Sequence, residues 1–260
     1  MLGRNYIKEK LMSKKPILGT WCIIPSPITA DIISSCGLDF LIIDAEHGPI
    51  SFETAQMMAI AAESRGVSPV MRVGGIIESD ILKAADIGVH CIQIPNVETK
   101  SDVEHIVKFA KYPPIGHRGF SPFTRAGGYS IENSKTLTTH SNENMLIAIN
   151  IEGKKSVEQI DEILTVDSLD IVFIGIYDLS KSLGIPGDVD NPIVLKHLDT
   201  LTQKINRAGK IAGTLATSLE KLKLFLDMGI RYIVYLVDCD MLRQSYTNVK
   251  EKFDKLCVNA

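Results

Sequence analysis

What this 260-residue chain lacks removes several classes of function before any motif is considered. No apolar run approaches the roughly twenty residues needed to cross a bilayer. The polar, lysine-rich start from Met1 to Lys15 also has none of the apolar core of a secretory signal. The expected setting is therefore cytoplasmic, with no membrane partner. Basic residues form no block, and with a formal net charge of -3 there is no positive field to attract a nucleic acid backbone. The five cysteines, Cys22, Cys36, Cys91, Cys239 and Cys257, give neither a CxxC pair nor a zinc-ribbon spacing. Their odd number and mostly apolar surroundings read as buried, reduced thiols. Neither GxGxxG nor a P-loop follows the first apolar run, which argues against a doubly wound nucleotide-binding sheet.

What is present is an alternation of short apolar runs with longer amphipathic segments, the pattern of repeated βα units around a parallel sheet. Eight strands are expected at Ile17–Ile24, Phe40–Asp44, Pro69–Val73, Cys91–Pro95, Met145–Glu152, Asp170–Gly175, Lys210–Leu215 and Tyr232–Val237. Helices are expected at Pro27–Cys36, Phe52–Arg65, Ser79–Ile87, Lys100–Lys111, Ser156–Thr165, Pro192–Ala208, Leu219–Met228 and Met241–Lys255. Glycine recurs where a helix gives way to a strand, at Gly37, Gly66, Gly88, Gly209 and Gly229, as a left-handed cap requires. Eight units over this length predict an α/β (β/α)8 TIM barrel, one domain over residues 1–260. One segment breaks the rhythm. Tyr112 to Asn144, rich in Pro, Gly and polar residues, reads as an insertion between strands 4 and 5. It is expected to close over the site or contact a neighbouring subunit, with Arg118 or Arg125 meeting an acidic part of the substrate.

In such a barrel the chemistry collects at the C-terminal ends of the strands. Glu152 and Asp178 follow adjacent strands, so two carboxylates can converge on one point, and a hard divalent cation such as Mg2+, Mn2+ or Co2+ would relieve their repulsion. The alternative is structural: Glu152 capping the next helix and Asp178 starting the next turn. His47, with Asp44 three residues earlier, is a candidate general base whose imidazole Asp44 could orient. The other histidines, His90 among them, read as surface, helix or loop residues. Arg72 ends an apolar strand, where burial calls for an anionic partner. Its fork suits a substrate carboxylate or a developing enolate oxygen, and equally a structural salt bridge to Asp44 or Glu46. A Schiff-base lysine inside a strand is absent: Lys154 and Lys181 lie beyond strand ends and Lys210 begins its strand.

Taken together, Leu41-Ile42-Ile43-Asp44-Ala45-Glu46-His47, Val70-Met71-Arg72-Val73, Tyr112-Pro113-Pro114 through Arg118-Gly119, Ile151-Glu152, and Phe173-Ile174-Gly175 with Asp178-Leu179-Ser180 resemble the HpcH/HpaI aldolase family. These are class II pyruvate aldolases of the 2-keto-3-deoxy-rhamnonate and 4-hydroxy-2-oxoheptanedioate type, and the resemblance runs through nearly the whole chain in order. It implies a metal-dependent aldehyde-lyase in which Glu152 and Asp178 bind the metal and Arg72 contacts the 2-oxo group. It also implies that His47, supported by Asp44, is the base, acting through a metal-held water. Backbone amides from Gly175 through Ile176 and Tyr177 to Asp178 would hold the substrate carboxylate. Family members are commonly hexamers with the last helix exchanged between subunits, which implies a homo-oligomer here.

Two departures bear on the substrate. Asn150 stands where many relatives carry glutamine, and Gly175-Ile176 where they have Gly-Pro. They leave room for a second reading: the family's siderophore-pathway citrate synthase branch, which condenses oxaloacetate with acetyl-CoA. A third, a non-catalytic metabolite-binding barrel, is opposed by the filled set of catalytic positions.

Overall fold

Alternation along each strand decides which side chains reach the centre of the molecule. In the computed structural model, which describes residues 4–258, strands β1 (Ile17–Cys22), β2 (Phe40–Asp44), β3 (Ser68–Arg72), β4 (Cys91–Ile94), β5 (Leu146–Ile151), β6 (Ile171–Ile174), β7 (Ile211–Ala216) and β8 (Tyr232–Val237) pair in parallel and in sequence order. The pairing of β1 with β8 closes the barrel. The expected (β/α)8 TIM barrel is thus the observed fold, with every strand where the apolar runs put it. The ends of the expected 1–260 span, residues 1–3 and 259–260, lie outside the described residues.

Two apolar cores follow from the parity. Leu41, Ile43, Met71, Ile92, Ile94, Ile147, Ile149, Val172 and Ile174 pack outward against the helices. Residues of the opposite parity, among them Phe40, Ile42, Val70, Cys91, Ala148, Phe173 and Tyr232, fill the interior with Trp21. Continuing the inward parity toward the C-terminal ends leads from Ile42 to Asp44, from Val70 to Arg72, from Ala148 to Asn150 and Glu152, and from Phe173 to Gly175. The register sets Asp44 opposite Arg72, Arg72 opposite Gln93 and Asn150 opposite Phe173, so Asp44, Arg72 and Asn150 line one mouth with Gln93 buried beneath it.

The surrounding helices are α2 (Pro27–Ser34), α3 (Phe52–Ser64), α4 (Glu78–Asp86), α5 (Lys100–Ala110), α10 (Pro192–Arg207) and α11 (Leu219–Asp227). Thr99 and Asp102 form a reciprocal capping box at the start of α5, and Ser51 and Ser218 cap α3 and α11. All five glycines expected to end helices have positive φ. Five elements depart from expectation. A first helix, α1 (Tyr6–Met12), turns Ile7 and Leu11 into the barrel floor, where Asn5 donates to the carbonyls of His90 and Asn144. The polar look of residues 1–15 hid this two-residue stripe. Helix α6 (Ser134–Asn144) closes the segment from Tyr112. The single helix expected at Ser156–Thr165 is instead two short ones, α7 (Lys154–Glu158) and α8 (Ile160–Ile163). The residues after β6 form α9 (Ile176–Ser182).

The last helix, α12 (Asp238–Val258), begins on the barrel, where Asp238 accepts the backbone N–H groups of Ile23, Ile24 and Cys239 and ties β1 to β8. From Met241 to Cys257 it is exposed. The cysteines also divide differently from expectation: Cys22 and Cys91 are buried, whereas Cys36, Cys239 and Cys257 are exposed, because they lie at a helix end and along α12.

Candidate active site

Arg72 is the most tightly held cation at the mouth. Its Nε and Nη2 donate to the two carboxylate oxygens of Asp44 at 2.8 and 2.6 Å, and Nη1 lies 2.8 Å from Glu46 Oε2. The guanidinium also stacks on the indole of Trp21, with Cζ 4.1 Å from the ring centroid. Both structural partners considered from the sequence are therefore real. Two of the five guanidinium N–H groups hydrogen-bond to Asp44, and Nη1 meets Glu46 Oε2 as an ion pair without hydrogen-bond geometry, so the guanidinium is fixed with N–H groups to spare.

Asp44 consequently does not orient the His47 ring. Its Oδ1 accepts the backbone N–H of Glu46 and of His47, at 3.1 and 3.4 Å, and its charge is taken by Arg72. The imidazole is 71% exposed, with Nε2 3.9 Å from Glu46 Oε2. Asp44 thus shapes the turn that carries His47. Glu46 is held from its other side by Asn96, which donates to Oε1 at 3.2 Å from a left-handed backbone that asparagine tolerates.

Glu152 and Asp178 converge over Gly175. A Cβ at Gly175 would lie 3.0 Å from Glu152 Cγ and 3.9 Å from Asp178 Oδ2, so the bare glycine makes the space both side chains use. Glu152 Oε1 accepts one hydrogen bond, from Asn150 Nδ2 at 2.9 Å. Burial raises the Glu152 pKa above the usual carboxylate range. The Asn150 bond opposes that rise, and Glu46 and Asp178 add to it. Of the structural alternatives, the one for Glu152 fails, since Gly153 caps α7, whereas Asp178 does lie in the first turn of α9. Asp44 and Glu46 take Arg72, and among the described residues no ion pair reaches Glu152 or Asp178, which line the same cavity. That excess of carboxylates fits a cation held by Glu152 and Asp178 with its other positions open, as Mg2+ prefers. Among the described residues no group of three or more His, Cys, Asp or Glu side chains is arranged as a metal cage.

Asp44, His47, Arg72, Asn150, Glu152, Gly175, Ile176, Tyr177 and Asp178 all line one cavity of about 350 Å3, whose apolar wall is Trp21, Phe173, Leu215 and Val237. Two expected residues are elsewhere. Arg118 is buried against Asp86, at 2.6 Å, and over the ring of Tyr112. Arg125 is paired with Glu63 and donates to the carbonyl of Ile87. Asp86, Ile87 and Glu63 all lie at helix ends that precede strands, so both arginines serve the opposite end of the barrel from the mouth. His90 does lie in the connection before β4, as a loop residue would, but it is fully buried at that end, bonded to Ser68 Oγ and Glu63 at 2.8 Å each. Lys111 is the buried lysine the sequence did not single out. Burial pushes its pKa down to about 8, and it donates to the carbonyls of Asn142 and Met145 beneath β5, away from the mouth. Trp21 and Gln93 were missed as well. A lone polar residue at inward parity within β4 was the available signal for Gln93.

A closed parallel barrel with a cluster of charged groups at its C-terminal rim has the architecture of a barrel enzyme. Residues 18–244 match the HpcH/HpaI aldolase/citrate lyase family, and the chain belongs to it. It is 32% identical over 251 residues to a hydroxypyruvate/pyruvate aldolase of Roseobacter denitrificans, covering 96% of this chain and 97% of that protein. It is 29% identical over the same length to a 5-keto-4-deoxy-D-glucarate aldolase of Shigella boydii, with the same coverage. Among solved structures it resembles the citrate synthase SbnG, with TM-score 0.85 and 30% identity over 96% of this chain and all of that one.

Proposed function

We propose that this chain is a divalent-metal-dependent class II aldolase, a carbon–carbon lyase that works through the enolate of pyruvate or a related small 2-oxo acid. The observation that carries the reading is the juxtaposition of Arg72, clamped by Asp44 and Glu46, with the charge excess at Glu152 and Asp178. Glu152 and Asp178 would hold Mg2+, Mn2+ or Co2+, which would supply positive charge to polarise the oxygens of a 2-oxo acid. Arg72 keeps N–H groups that Asp44 does not use, fixed before substrate arrives and therefore needing little reorganisation as charge develops at the 2-oxo oxygen. The first-turn amides of α9, from Ile176 through Tyr177 to Asp178, suit the substrate carboxylate. His47, on the turn that Asp44 shapes, moves the proton. Trp21, Phe173, Leu215 and Val237 keep that side of the cavity apolar.

The test is proton exchange at the methyl group of pyruvate, which needs enolate formation and no aldehyde. Wild-type protein with Mn2+ should exchange it and chelator-treated protein should not. Full exchange in protein shown to be metal-free would overturn the metal requirement. The likeness to SbnG favours a second reading, condensation of oxaloacetate with acetyl-CoA, with Asn150 in place of glutamine altering the acceptor side. Turnover of oxaloacetate only when acetyl-CoA is present would establish it. Absence of turnover with every 2-oxo acid would leave a metabolite-binding barrel.

A homo-oligomer, a hexamer by resemblance, is part of the same proposal. Leu242, Tyr246, Val249, Phe253 and Leu256 recur at four- and three-residue steps as one exposed apolar stripe on α12. Ile28 and Ile32 on α2, with Leu219 and Leu226 on α11, are exposed on the helices flanking the strands where α12 leaves the barrel. Exchange of α12 between copies would cover both surfaces. Exposed Phe120, Phe123, Tyr129 and Ile131 in the Tyr112–Asn144 segment support its contacting a neighbouring subunit in preference to closing over the mouth. No described helix is long and apolar enough to cross a membrane. The site takes a small-molecule substrate, and a cytoplasmic setting fits it.

A further inference from the structure

A line of hydrogen bonds crosses the barrel interior from its floor to Glu152. Tyr232 Oη donates to Gln93 Oε1 at 3.0 Å, Gln93 Nε2 donates to Asn150 Oδ1 at 2.7 Å, and Asn150 Nδ2 donates to Glu152 Oε1 at 2.9 Å. Tyr232 and Gln93 are fully buried and Asn150 nearly so, and the three come from β8, β4 and β5. The direction of this line is set at its end. An ionised carboxylate only accepts, so Asn150 must turn its NH2 toward Glu152 and its carbonyl toward Gln93. Gln93 must then present its own NH2 to Asn150 and its carbonyl to Tyr232, which is left as the donor. Reversing any one amide would set a carbonyl oxygen against another acceptor in a dry interior, where nothing else can satisfy it.

The phenol is fixed by packing. Its ring stacks on Phe40 with centroids 4.4 Å apart, and a Cβ at Gly213 would lie 2.7 Å from Tyr232 Cδ1. Neither Tyr232 nor Gln93 lines the mouth cavity, so neither is placed to meet substrate.

We propose that Tyr232 and Gln93 are positioning residues for Glu152: through Asn150 they hold Glu152 Oε1 in one orientation and thereby prepare the carboxylate to receive a divalent cation. This rests on the reading of Glu152 as a metal ligand. Groups that orient a metal's ligands commonly change its affinity by about ten- to a hundredfold when removed.

The experiment measures free Mn2+ by electron paramagnetic resonance on full-length protein. It compares wild type, Tyr232→Phe, Gln93→Leu and the double variant Tyr232→Phe/Gln93→Leu, each with a thermal unfolding midpoint. Gln93→Leu should raise the Mn2+ dissociation constant about tenfold or more, and Tyr232→Phe should raise it in the same direction by less. Either single variant leaves a buried polar group unpaired and should melt lower. The double variant removes both members of one bond and should recover much of that stability, yet its Mn2+ binding should stay weak because Asn150 remains undirected. That split is what a purely structural role would not give. Dissociation constants within about twofold of wild type in all variants, or weak binding that recovers with the melting point in the double variant, would overturn the proposal. Should Gln93→Leu not fold, Tyr232→Phe, which deletes a single oxygen, decides the matter by the same comparison. Failure of wild-type protein itself to bind Mn2+ would refute the metal reading, and this proposal with it.

Discussion

The two ends of the barrel treat charge in opposite ways. At the floor, His90, Glu63 and Arg125 form one bonded group, Arg118 meets Asp86, and Lys111 is held by backbone carbonyls. At the mouth, Arg72 is taken by Asp44 and Glu46, no ion pair among the described residues reaches Glu152 or Asp178, and Glu152 is raised in pKa by burial with its acidic neighbours adding to the rise. Charges at the floor are matched within the fold. Those at the mouth wait for something from outside, which is what a binding site looks like in energetic terms. If that contrast is correct, removing a charge at the mouth should relieve the protein, and removing one at the floor should loosen it.

The largest expected effect breaks the mouth. Glu152→Gln should reduce pyruvate methyl exchange by on the order of a thousandfold, since it removes half of the proposed metal site. In chelator the same variant should melt at or a few degrees above wild type, because like charges at close range destabilise the metal-free fold. A marked fall in melting point would show that Glu152 is already satisfied within the protein and would erase the contrast between the ends.

The floor should respond to acid. Burial holds the His90 pKa down to about 4, below the ordinary 6.5, so the folded state keeps it neutral while the unfolded chain takes up the proton first. The stability associated with neutral His90 is therefore complete above pH 6.5 and is lost as pH falls through 4, by about 3 kcal/mol in all. Urea unfolding of wild type and His90→Gln across this window isolates the contribution, because other carboxylates affect both proteins alike. Parallel curves for the two would mean that Glu63, although paired with Arg125, still supports a protonated imidazole.

A smaller effect sharpens the role of Arg72. Lysine keeps the charge but cannot reach Asp44 and Glu46 and still have N–H groups to spare, so Arg72→Lys should slow pyruvate methyl exchange by roughly a hundredfold. His47→Ala should also slow it. Near-normal exchange with weakened pyruvate binding alone would make Arg72 an anchor for the substrate.

The difference between the ends was only half legible in the sequence. Strand positions were readable because apolar runs of this length between glycine-capped helices have one economical arrangement, and the rim residues followed from strand ends. Pairings were not readable. Asp44 and His47 are close in sequence, yet the Asp44 carboxylate goes to Arg72, 28 residues on, because parallel pairing of β2 with β3 sets them side by side. His90 is the loop residue it looked like, but its burial was hidden because its partners, Ser68 and Glu63, come from another strand and another helix. The Tyr112–Asn144 segment looked like a lid because Gly, Pro and Arg suggest mobility and anion contact. Its arginines instead find acidic partners at helix ends on the floor, and no local pattern announces that.

Arg125 gives the last and smallest prediction, and it turns on that point. Its guanidinium meets Glu63 and donates to the carbonyl of Ile87, tying the Tyr112–Asn144 segment to α3 and to the turn after α4. Deleting it leaves Glu63 facing His90 alone and one carbonyl less satisfied. Breaking a fully buried pair costs about 3–5 kcal/mol. With the Arg125 and Glu63 side chains 18% and 21% exposed, solvent screening brings Arg125→Ala nearer about 1–2 kcal/mol. Since Arg125 stands at the floor, KM for pyruvate and for a dicarboxylic 2-oxo acid should both stay at the wild-type value while the melting point falls. A selective rise in KM for the dicarboxylic acid would mean that Arg125 reaches a mouth after all, and the only mouth within its reach would be that of a neighbouring copy.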